Sequence, residues 1–142
     1  MKIGKQIIFL SLISFVLHSI WENMQAPLFQ GYVSFVAHLP ACTLGTVGDV
    51  VITVVIYFMV AVLKNDCNWI VKLRTRDMYI LAVVGFCIAI GIEWRALLLG
   101  RWAYGDLMPI LPYVRVGLAP VIQMTFLLPL SLYLTKRIVA RE

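Results

Sequence analysis

The chain has 142 residues, 62% of them hydrophobic and 13% charged, with a formal net charge of +5 and a mean hydropathy of +0.93. Soluble domains are about half apolar and about a quarter charged, so this composition excludes an ordinary soluble domain and leaves length for one compact bundle of spans. The surplus of Lys and Arg lies mostly in short connecting segments, where it acts as an orientation signal rather than a nucleic-acid footprint.

Lys2 and Lys5 precede an apolar run that predicts a first span over about 6–24. A secretory signal peptide also begins with basic residues and an apolar middle, but the run continues into His-Ser-Ile-Trp-Glu-Asn rather than a small-residue cleavage site. A retained span is the expectation. Within it His18, Glu22 and Gln25 fall on one helical face, with Ser14 and Ser11 behind them. Residues 28–40 are apolar but too short to cross, and their spacing predicts a short interfacial helix.

Pro40 suits the first turn of a second span over about 41–63. Asp49 interrupts that span, with Thr46 and Thr53 on its face, and Gly45 and Gly48 permit close approach of a neighbouring helix. A polar loop carrying Lys64, Lys72, Arg74 and Arg76 leads to a third span over about 78–99, where Gly85, Ala89 and Glu93 share a stripe. A connection rich in Trp, Tyr, Gly and Pro follows, suited to capping the bundle as a lid. The fourth span covers about 117–135 and holds Gln123, and Lys136, Arg137 and Arg141 come after it. The fold expected is therefore an all-α, polytopic four-transmembrane-helix bundle in a single domain. Cys42, Cys67 and Cys87 make no spaced pair, so neither a disulfide framework nor a zinc site is indicated.

The basic residues near the N-terminus, in the 64–77 loop and at the C-terminus predict that these three face the cytoplasm. Measured by helical rise, His18, Glu22, Asp49, Glu93 and Gln123 then fall within roughly 5–12 Å of the opposite boundary, one layer fed by every span. Hydrogen bonds that merely tie membrane helices together average only about 0.6 kcal/mol, a weak reason to keep three carboxyls there. A structural alternative is that Arg95 or Arg101 neutralises Glu93 or Glu22 from the rim.

Carboxyls that share a site can divide into proton donor and proton acceptor. Glu22, Asp49, Glu93 and His18 are accordingly the candidate catalytic set. Asn23, Gln25, Arg101, Tyr104 and Gln123 are the candidate substrate-binding residues. The expected ligand is a lipid-soluble, isoprenoid-like molecule reaching the pocket from the bilayer. No serine or cysteine nucleophile motif accompanies them. Four short spans with a glutamate in the first also resemble the small multidrug-resistance exporters in layout, which implies proton-coupled export as the alternative function. His18 and His38, with Met24 and Cys42, are a thin basis for haem or copper, and no cofactor is implied. The size of the chain is compatible with an oligomer.

The strings Trp-Glu-Asn-Met-Gln-Ala-Pro-Leu (21–28), Gly-Asp (48–49), Gly-Arg-Trp-Ala-Tyr (100–104) and Gly-Leu-Ala-Pro-Val-Ile-Gln-Met (117–124) resemble those of an uncharacterised family of small four-span bacterial integral membrane proteins. The likeness covers most of the chain. It implies a bacterial inner membrane and carries no activity with it.

Overall fold

The computed structural model describes residues 3–141; Lys2, part of the basic start, lies outside them. Its helices are α1 (Ile3–Gln25), α2 (Phe35–Lys64), α3 (Thr75–Leu98) and α4 (Leu118–Val139), with 3₁₀ turns at Ala26–Leu28 and Trp69–Lys72. All four long helices have the length and apolarity to cross a bilayer. The chain is an all-helical, multi-pass membrane protein. Its outer faces carry bare apolar side chains such as Leu12, Val16, Val51, Val62 and Val83, as a surface bathed in lipid requires.

The separate interfacial helix expected over 28–40 resolves into two other things. Its first part is extended: Phe29 bridges Tyr104 in antiparallel fashion, with the Gln30 N–H donating to the Ala103 carbonyl at 2.9 Å and the Gly105 N–H to that of Leu28 at 2.8 Å. Its second part is the beginning of α2, capped by the Ser34 hydroxyl, which accepts the Ala37 N–H. Pro40 thus lies inside α2 rather than at its start. The proline deprives only the Val36 carbonyl of its partner, at an exposed helix end where solvent or headgroups can replace it.

The helices form an open arc in the order α2, α1, α4, α3, with each neighbouring pair packed and no comparable packing between α2 and α3. The tightest seam joins α3 to α4. A Cβ on Gly85 would run into the Met124 backbone carbonyl, so only glycine allows that approach. Of the two α2 glycines expected to admit a neighbouring helix, Gly45 makes room for the Glu22 carboxyl of α1, whereas Gly48 faces open space.

At the end bearing Lys64, Lys72 and Lys136 the arc is closed by the 65–74 loop. The Tyr57 hydroxyl lies between Gln6 Oε1 (2.7 Å) and the Cys67 carbonyl (2.5 Å), and the Gln6 amide donates to Asn68 Oδ1 at 2.8 Å. Trp69 is buried beside them and donates its indole N–H to the Tyr57 carbonyl at 3.0 Å. Lys136 Nζ fixes the same loop through the Leu73 carbonyl at 2.7 Å. These bonds give partners to the polar groups that the loop and its neighbours turn inward, as an apolar surrounding demands.

Candidate functional site

A cavity of about 650 Å³ lies between the two edges of the arc, near the end away from the basic loop. Its α2 wall includes Cys42, Leu44, Gly45, Asp49 and Ile52, and its α3 wall Ala89, Ile92 and Glu93. Glu22 and Gln25 from α1, and Gln123 and Met124 from α4, form the floor, and Phe29, Gln30, His38, Arg101 and Trp102 surround the mouth. Leu44 is 75% exposed, so the α2 edge of the cavity meets the surroundings directly.

The Gln123 carboxamide holds the floor together. Its nitrogen lies 2.8 Å from Asp49 Oδ2, 3.0 Å from Glu22 Oε1 and 3.1 Å from His18 Nδ1. Two amide hydrogens cannot serve three acceptors. His18 Nδ1 is also 3.1 Å from Asp49 Oδ2, a contact that needs a hydrogen between the two atoms. With that hydrogen on Nδ1, His18 donates to Asp49 and Gln123 donates to Asp49 and Glu22, and the approach of the Gln123 nitrogen to His18 is then not a hydrogen bond.

The direction of the amides is set from further away. The Trp21 indole can only donate, and its N–H reaches Gln25 Oε1 and the Ala119 carbonyl, each at 3.2 Å. The Gln25 nitrogen must then face inward, where it donates to Gln123 Oε1 at 2.8 Å and Glu22 Oε1 at 3.2 Å. That in turn points the Gln123 nitrogen at the acids. His18 Nε2 is fully buried and has no hydrogen-bond partner among the described residues. Behind the cluster, the Ser14 and Thr53 hydroxyls meet at 3.3 Å.

Glu93 belongs to a second unit on the opposite wall. It is 4% exposed, and its Oε2 accepts from the Tyr104 hydroxyl and from the Trp102 indole, the latter at 3.2 Å. Both donors come from the 100–117 connection, which the bridge at Phe29 holds over the bundle. Burial first, and then the bond to the Glu93 carboxyl, push the Tyr104 phenol above its ordinary range.

Glu22, Asp49, Glu93, Gln25, Arg101 and Gln123 all line this one cavity. His18 stands immediately behind Asp49, and Tyr104 reaches the site through Glu93. Asn23 does not join them: its amide turns back to the Ser19 carbonyl at 2.8 Å, and the helical rotation of one residue from Glu22 takes it out of the cavity. Trp21 and Trp94 flank the layer, Trp94 donating to the Val114 carbonyl at 2.7 Å. Trp102 is the functional candidate that the sequence pattern hides, because a tryptophan near a boundary reads equally well as an interfacial anchor.

Neither Arg95 nor Arg101 forms a salt bridge with Glu22 or Glu93 among the described residues. The neutralising rim pair is therefore not formed. No group of three or more His, Cys, Asp or Glu side chains suited to a metal ion occurs among the described residues. Comparison with protein families, characterised proteins and solved structures yields no match.

Proposed function

We propose that this protein is a multi-pass protein of a bacterial inner membrane, with both termini in the cytoplasm, that binds a lipid-soluble, isoprenoid-like molecule and acts on it by acid–base chemistry. The observation carrying this reading is that carboxyls from three separate helices line one cavity that they share with apolar side chains such as Leu44, Ile52, Ala89 and Ile92. In this reading Glu22 and Asp49, held by donors from Gln123 and His18, are the proton-accepting side. Glu93, on the facing wall and apart from that amide network, is the proton-donating side, its carboxyl oriented by Tyr104 and Trp102. A proton delivered to one carbon of an alkene and another removed from the carbon next to the far end of that double bond shifts the double bond and consumes no further reactant. The gap between α2 and α3 gives a hydrocarbon tail its way in.

The test is lipid mass spectrometry on purified wild-type protein and on Glu22→Gln and Glu93→Gln variants. A co-purifying lipid recovered in altered form from wild type and unaltered from the variants supports the reading. Proton-coupled efflux of a cationic dye from reconstituted vesicles, abolished by Glu22→Gln, replaces it with export.

A further inference from the structure

The mouth of the cavity carries donors that no described residue uses. Arg101 lines it, yet its guanidinium makes no hydrogen bond or ion pair among the described residues. Gln30 lies alongside, fixed by its backbone bond to Ala103, and its side-chain amide is likewise unpartnered. His38 is held against this segment by its stack on Tyr32, ring centroids 4.8 Å apart. Its Nδ1 accepts the Val33 N–H at 3.5 Å, which leaves Nε2 to carry the hydrogen in the neutral ring.

An arginine in a cavity with three carboxyls would ordinarily pair with one of them. Here each acid already has other donors, through Gln123, His18, Gln25, Tyr104 and Trp102. We infer that Arg101, with His38 and Gln30, is a subsite for the anionic headgroup of an amphiphile, a phosphate ester above all, whose tail lies between α2 and α3. This rests on the acid–base reading of the cavity and specifies the substrate it takes.

Spacing decides whether an anion can sit above three acids. Glu22 lies against Gly45, seven residues along α2 from His38, or about 10 Å at the helical rise. That is about one Debye length of 8–10 Å, so the repulsion from Glu22 is weakened by distance and salt while Arg101 is in contact. The same distance, and the further four residues along α2 to Asp49, place Glu22 and Asp49 beside the tail rather than the headgroup. The bond acted on is therefore a carbon–carbon double bond some way down the chain, and the phosphate serves as a handle.

The experiment is equilibrium binding of farnesyl phosphate, farnesol and phosphatidic acid to the protein in phosphatidylcholine nanodiscs. Wild type is expected to hold farnesyl phosphate about tenfold more tightly than farnesol, the worth of a charge-assisted contact. Arg101→Gln removes that preference and leaves farnesol binding unchanged, Arg101→Lys restores part of it, and Arg115→Gln, outside the cavity, has no effect. Tighter binding of phosphatidic acid than of farnesyl phosphate supports the subsite and identifies a bilayer lipid as its source. Equal binding of farnesyl phosphate and farnesol, or an Arg101→Gln variant that keeps the preference, overturns the subsite and leaves the cavity reading standing. Binding of none of the three overturns both.

Discussion

Gln123 is neither acid nor base, yet it decides how the acids stand. A carboxamide offers hydrogens that it cannot give up, so it fixes Glu22 and Asp49 without competing for their protons. Gln123→Leu is expected to lower stability by about 1–3 kcal/mol, the usual cost of leaving buried acceptors unmet, read as a drop in thermal midpoint in detergent. Tyr104 makes a different prediction. Its phenol loses its proton at a higher pH in the folded protein than in the unfolded chain. Its stabilising share is therefore complete below about pH 10, the ordinary tyrosine value, and declines as pH rises beyond it. A pH series of unfolding midpoints for wild type and Tyr104→Phe is expected to converge above that point. Period and depth made the acids legible in the sequence, because a charge in an apolar run has few innocent explanations. The hub role of Gln123 was not legible, since it depends on amide directions relayed from Trp21 and on neighbours about a hundred residues away.

The four helices themselves follow from apolar runs long enough to span, and the structure returns them with modest changes of boundary. Which helices touch does not follow from the runs, because lipid and protein are equally apolar neighbours and hydropathy cannot tell one from the other. Glycines do carry that information, but only once backbones are placed. Gly85 and Gly48 look alike in sequence and have opposite surroundings. Gly85→Ala forces a methyl against the Met124 carbonyl and is expected to cost about 1–3 kcal/mol by overpacking. Gly48→Ala meets nothing within 4 Å and is expected to be neutral or to gain up to about 1 kcal/mol of helix preference. Thermal midpoints of the two variants, measured in one detergent, check the contrast. The α3–α4 seam is wrongly drawn if both substitutions behave alike.

At the scale of the whole molecule, a native thiol reports orientation. Cys67 is exposed in the basic loop, Cys87 lies on the apolar outside of α3, and Cys42 is buried. A membrane-impermeant maleimide applied to intact cells is expected to leave Cys67 unmodified and to label it once the membrane is opened. Labelling of intact cells would place the basic loop outside and invert the arrangement we propose. The sequence supplies this orientation through its Lys and Arg residues alone. Which end of the cavity is shut depends instead on how Gln6, Tyr57, Asn68 and Trp69, drawn from α1, α2 and the loop, interlock.

That interlock makes the chamber a cul-de-sac. On the function proposed above, a molecule that slips in from the side backs out through the same doorway. If the proposed chemistry alters only the middle of the tail, the product leaves with head and far end unchanged and competes with its own precursor for the threshold. Turnover here is expected to slow as product accumulates, in the manner of a competitive inhibitor with an affinity close to that of the substrate.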